Sequence, residues 1–187
     1  MFIDSHCHLD FPEYQERLPE VLENMARAKV THALCISVDI PDFPKVKRLA
    51  QSHPNLYASV GVHPDYEDTP EPTLEFLLEE AKDPKVIAIG ETGLDYYQMD
   101  ERKGGRTVAD MEWQRERFRV HIRAARATDL PLIIHTRSAS DDTLAILREE
   151  GGLASAAGGA QPPARGVFHC FTETAEVARA ALDLDFY

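Results

Sequence analysis

Two histidines stand two residues apart in the opening stretch MFIDSHCHLD, at His6 and His8. Phe2 to His8 reads as a short strand, whose side chains alternate faces with period two, so both imidazoles aim the same way. Paired imidazoles suit a divalent metal, where a folding core would place Val or Ile. Taken alone, the pair fits an N-terminal tail with incidental histidines equally well. The ends of the later apolar runs decide between the two.

Those runs are FIDSH, THALCISV, LYASVGV, KVIAIGE, LPLIIHT and RGVFHCF. The first ends on His6 and His8, the third leads into His63 of GVHP, the fourth ends on Glu91 of GETGLD, the fifth on His135 and the sixth on His169. Period-two alternation puts Ile87, Ile89 and Glu91 on one face, and likewise Ile133 with His135 and Val167 with His169. In parallel α/β folds, chemistry gathers at the carboxyl ends of the strands. Any one of these groups is explained by an ordinary polar strand end; their agreement points to a single site. Four histidines and a carboxylate suit two divalent ions, zinc or else manganese or magnesium. The natural division gives His6 and His8 to one ion, His135 and His169 to the other, and Glu91 to both. Such a pair of ions holds a hydroxide nucleophile and stabilises in-line displacement at phosphorus.

The elements that position these groups alternate. Helical stretches run over Leu18 to Ala28, Phe43 to Ser52, Pro72 to Lys82, Asp110 to Thr128, Ser140 to Glu149 and Thr174 to Leu182. Strands separated by helices predict a parallel sheet with helical crossovers. In the fourth helix, Met111, Phe118, Ile122 and Ala125 form the apolar stripe and the arginines take the other face. Ser140 is placed as the N-cap of the fifth helix, with Asp141 and Asp142 in its first turn and Gly151 past its end. Gln98 to Asp110 and Gly151 to Arg165 read as loops. His32 and His53 fall at the opposite strand ends and His121 beside an apolar stripe, so none of the three is expected to bind metal.

The 187 residues, 43% of them hydrophobic, fit one domain with a sizeable core. The net charge of −12 excludes a protein that holds nucleic acid on a broad basic surface, so a phosphate substrate must be attracted locally. The eight Lys and Arg between Arg102 and Arg126 read as a solvated, salt-bridged face, since Glu112 with Arg115 and Glu116 with Arg119 are three apart. No secretory leader or membrane span is legible, which gives a cytoplasmic expectation with no membrane partner. No obligate protein partner is evident either. Cys7, Cys35 and Cys170 match no zinc-ligand spacing and are expected to be reduced and buried.

The segments FIDSHCHLD, GVHPDY, IGETGLDYY, WQRERFRVHIRAARATDLPLIIHTRSASDDTL and GVFHCFTET resemble the TatD family of metal-dependent deoxyribonucleases, in the amidohydrolase-like barrel group. The resemblance implies a (β/α)8 TIM-type barrel and metal-dependent hydrolysis of DNA phosphodiesters, commonly as a 3′ to 5′ exonuclease, with relatives acting on aminoacyl-tRNA. It implies metal ligation by His6, His8, Glu91, His135 and His169, and contact of His63 and Arg137 with the substrate phosphate. The family pattern also has closing strands and an Asp in an E-T-D-x-P motif, ligand and general base, which this sequence lacks. The chain therefore reads as residues 1–187 of one barrel domain with six to six and a half of its eight units, C-terminally truncated. Two alternatives stand beside the nuclease. A catalytically silent metal-binding fragment is one. The other is an amide or ester hydrolase of the same barrel group, which usually bridges its metals through a carboxylated lysine where this chain has Glu91.

Overall fold

A computed structural model describes residues 1–99, 105–151 and 162–187. Its six strands are all parallel and pair in chain order: β1 (Phe2–Cys7), β2 (Val30–Cys35), β3 (Leu56–Val60), β4 (Val86–Asp95), β5 (Leu132–Arg137) and β6 (Gly166–Phe168). Between and after them run α1 (Leu18–Arg27), α2 (Phe43–Ser52), α3 (Leu74–Glu80), α4 (Glu112–Thr128), α5 (Ser140–Glu150) and α6 (Ala175–Leu182). The parallel pairing is what the alternation of runs predicts, and the sheet curls as part of a TIM-type barrel, as the family resemblance implies. Beyond β6, Tyr187 donates from its N–H to Gly166 O at 2.9 Å and accepts at its own carbonyl from Phe168 N at 2.7 Å. A further parallel bridge thus begins at Phe186, where the repeat calls for a seventh strand.

Two layers of side chains flank the sheet. On the helix side, Val60, Ile89, Leu132 and Ile134 of the strands pack with Phe43, Leu77, Phe118 and Ile122 of the helices. Each such side chain contributes about 1.5–3 kcal/mol by leaving water. On the concave side lies a smaller cluster of Ile36, Ala88 and Ile133. Val167 shares that concave face through its pairing with Ile133 and is 39% exposed.

The common face expected for Ile89 and Glu91 does not hold. Ile89 pairs with Leu132 while Thr92 pairs with Ile134, so β4 carries one extra residue between them. This bulge reverses the alternation. Ile89 therefore packs in the helix-side core, and Glu91 turns to the concave side. The bulge sits where β3 and β4 come closest: a Cβ on Gly61 would lie 2.6 Å from the Cα and carbonyl carbon of Gly90. Gly90 itself has φ of +143°, a conformation open to glycine.

Smaller differences have local causes. Ala139, not Ser140, is the N-cap of α5, because the Ser140 hydroxyl donates to Glu173 Oε2 at 2.6 Å. α3 starts at Leu74 rather than Pro72, capped by Thr73 Oγ1, which accepts from Phe76 N at 3.1 Å. All three cysteines are free; Cys35 is buried and Cys7 half-buried, but Cys170 is exposed. It falls past the end of β6 in a turn, with φ of +47°, so its side chain leaves the core. Residues 152–161 of the second predicted loop and 100–104 of the first lie outside the described residues.

If the Gly61–Gly90 approach sets the bulge, Gly61→Ala overpacks it and lowers unfolding free energy by roughly 1–3 kcal/mol. An unchanged urea midpoint in that variant would count against the packing described here.

Candidate active site

The centre of the concave rim is Glu91, 3% exposed, whose backbone N–H donates to Ser37 O at 3.0 Å. Its Oε2 lies 3.2 Å from His6 Nε2, and its Oε1 lies 3.5 Å from His135 Nδ1 and 3.7 Å from His63 Nε2. Two sets of ligand atoms lie mutually within 4.8 Å: His6, His8 and Glu91, and His63, Glu91 and His135. His169 stacks on His6 with ring centroids 3.4 Å apart, so it joins the cluster without belonging to either triad. All the histidines expected at strand ends are thus brought together; His32 and His53 take no part in either triad.

Burial would raise the Glu91 pKa, but hydrogen bonds from His135 and His6 outweigh it and hold the carboxyl well below its usual range. Burial lowers the pKa of His8 and His169, and brings that of His63 down to about 4. These three rings are therefore neutral near pH 7, the form that offers a lone pair or a single N–H. In His63 the choice is made locally. Asp65 N–H donates to Nδ1 at 3.1 Å, which puts the ring proton on Nε2, facing Glu91. His6 Nδ1 and His8 Nδ1 are buried without a hydrogen-bond partner, as expected of rings whose remaining nitrogens await a ligand.

Arg137, the predicted phosphate contact, donates from Nη2 to Asp95 Oδ2 at 2.7 Å, lies over the Tyr97 ring at 4.4 Å and remains 44% exposed. Asp95 also accepts from His135 Nε2 at 3.0 Å. Burial opposes ionisation of Asp95, but His135 and Arg137 prevail and bring its pKa to about 2. For His135, burial works downward, but the hydrogen bonds it donates to Asp95 and Glu91 raise its pKa to about 9. Sequence reasoning stopped at Glu91 and missed Asp95. Counting on by twos through GETGLD finds it, because Glu91, Gly93 and Asp95 share a face.

The other missed group is a buried polar stripe on α4: Gln114, Arg117 and His121, none more than 3% exposed. Gln114 accepts from Asp95 N at 2.8 Å and donates to Pro64 O at 3.0 Å. Arg117 donates to His63 O at 3.0 Å and Tyr66 O at 2.8 Å, and is paired with Glu71. His121 Nε2 accepts from Val62 N at 3.1 Å while Nδ1 donates to Arg117 O at 2.8 Å. The expectation that the α4 arginines face outward is therefore corrected for Arg117, because the carbonyls of this loop need a buried donor. Arg115, Arg119 and Arg123 do form ion pairs, with Glu112, Glu149 and Glu150, but Arg115 is half-buried, its guanidinium also donating to Tyr96 Oη at 3.0 Å and Val108 O at 2.9 Å. Arg102 and Lys103 lie outside the described residues. The legible signal was spacing: Gln114 and His121 continue the three-and-four rhythm of Met111, Phe118 and Ala125.

The fold and this cluster define the class as a β/α-barrel protein with an imidazole and carboxylate centre at the carboxyl ends of its strands. The chain belongs to the TatD family, whose model, described as TatD related DNase, matches residues 3–187. It is 37% identical to the uncharacterized metal-dependent hydrolase YabD of Bacillus subtilis, over 100% of this chain and 67% of that one. It is 38% identical to the uncharacterized metal-dependent hydrolase YcfH of Escherichia coli, over 99% of this chain and 64% of that one. Among solved structures, the TatD homolog YJJV of Escherichia coli superposes with a TM-score of 0.81 at 28% identity, covering 99% of this chain and 66% of that one. A TatD family hydrolase of Entamoeba histolytica gives 0.74 at 26% identity, covering 99% and 63%. The chain thus spans about two thirds of the length of these relatives. Among the described residues no helix is long and apolar enough to cross a membrane.

His121 makes a pH prediction. Burial lowers its folded-state pKa to about 4, against 6.5 for the free side chain. The unfolded chain then binds the extra proton first, so stability from this site is complete above pH 6.5 and falls as the pH drops towards 4. The loss approaches roughly 3 kcal/mol. Urea unfolding at pH 7 and pH 4.5 should show this slope in the wild type and a shallower one in His121→Gln; equal slopes would refute it.

Proposed function

We propose that residues 1–187 form one barrel-type domain carrying the metal centre of a nucleic-acid phosphodiesterase of the TatD type, with DNA as its substrate. The observation that carries this reading is the position of Glu91, a buried carboxylate shared by two sets of candidate ligands. The family description and the names of the relatives support it.

His6 and His8 would hold one ion and His135 and His169 the other, with Glu91 shared between them, the ions being zinc, manganese or magnesium. Bound there, divalent ions lower the pKa of water and neutralise the charge that builds on a phosphoryl group. The chain's own residues do the rest. His63, neutral and with its proton on Nε2, donates to a phosphate oxygen, and its tautomer is why it is assigned to substrate although it lies within the second triad. Arg137 offers its exposed guanidinium to the same phosphate, for which its planar fork is suited. Arg137 brings positive charge and His63 an N–H donor to this spot on a chain of net charge −12.

An end-labelled single-stranded oligodeoxynucleotide, incubated with the chain and manganese, should shorten in a manner abolished by chelator. Glu91→Gln should lower the rate by at least about 100-fold. Metal retained with no cleavage would instead identify a silent metal-binding protein, and cleavage of amides or carboxylic esters alone would favour the amidohydrolase reading. The ligand division is checked by metal content: His169→Ala loses an ion and His63→Ala keeps both. The reverse result would exchange their roles.

A further inference from the structure

Asp95 belongs neither to the ligand set nor to the phosphate contacts, yet its carboxylate, 1% exposed, joins the two. A single oxygen, Oδ2, accepts from His135 Nε2 at 3.0 Å and from Arg137 Nη2 at 2.7 Å. The other oxygen accepts from Tyr97 N at 2.9 Å, and the Asp95 N–H is held by Gln114 Oε1 at 2.8 Å. The carboxylate therefore cannot swing without breaking bonds on each side.

A carboxylate accepts and never donates, so the His135 nitrogen that faces it carries a proton. The other nitrogen, Nδ1, faces Glu91 Oε1 at 3.5 Å, so it is the one that would give up its proton to an ion held by Glu91 and bind through its lone pair. We propose that Asp95 is a positioning residue: through Oδ2 it commits His135 to the Nε2–H tautomer with Nδ1 presented to the metal, and it anchors the Arg137 guanidinium beside the same site. This deepens, and rests on, the metal-centre reading above. Metal ligation and phosphate recognition are thereby tied to one oxygen atom, so loss of the Asp95 carboxylate releases both His135 and Arg137.

Asp95→Asn is the informative change, since it keeps the shape but can turn an amide N–H toward His135. That amide favours the opposite tautomer, with the proton on Nδ1 where the ion must bind. Zinc affinity, measured on the full chain by chelator competition, should fall about 10–100-fold in Asp95→Asn with an unchanged near-ultraviolet circular dichroism spectrum. In the zinc-loaded wild type, long-range proton–nitrogen NMR should show His135 protonated on Nε2 and zinc-shifted at Nδ1. This second measurement needs no variant and stands if Asp95→Asn does not fold. Affinity within about twofold of wild type in a folded variant, or zinc on Nε2 in the wild type, overturns the role of Asp95 alone. A wild-type chain that binds no zinc overturns the metal-centre reading, and the proposal with it.

Discussion

A carboxylate removed from water must be met by hydrogen bonds or opposite charge, and the Glu91 side chain imposes that demand on the whole concave rim. The groups that meet it come from three other strands or their extensions: His6 from β1, His63 from beyond β3 and His135 from β5. No single supersecondary unit could supply them. The parallel register that brings strand ends to one level, and the curl that turns them inward, are what make the buried charge tolerable. The β4 bulge has its place in the same logic, for without the extra residue Glu91 would face the helices.

α4 is the second support of this arrangement. Its apolar residues pack on the sheet like those of any crossover helix, but Gln114, Arg117 and His121 reach past the core to the segments that follow β3 and β4. Buried polar groups are costly when unmatched, and here each is matched by backbone groups. The helix therefore satisfies the Val62–Tyr66 segment as a sheet neighbour would, although that segment has left the sheet. Through Gln114 the same helix also holds the backbone of Asp95, so the two sides of the site share one rigid element.

Much of this was legible before any coordinates. The parallel strands, the helices between them and the gathering of His6, His8, His63, Glu91, His135 and His169 follow from apolar periodicity and from what ends each run. The parts that were not legible depend on contacts between distant segments. Alternation cannot register an inserted residue, so Ile89 was placed with Glu91 when the bulge separates them. Composition cannot tell a solvated arginine from one that answers buried carbonyls, so Arg117 was grouped with its neighbours. Ser140 has the side chain of a helix cap, but Glu173, brought close by the fold, takes its hydroxyl. Asp95 lay in plain view within GETGLD; its role emerges only when His135 and Arg137 are placed beside it.

The loop that carries His63 is held through main-chain atoms: the N–H of Val62 and the carbonyls of His63, Pro64 and Tyr66. A clamp that grips peptide groups is indifferent to the side chains they bear. The hold on this backbone would therefore outlast side-chain changes at Asp65, which reaches the Arg137 guanidinium at 4.0 Å, and at Tyr66, whose ring meets His63 edge-on. Substrate preference can thus be tuned along this rim, in evolution or by redesign, while the main-chain frame stays constant.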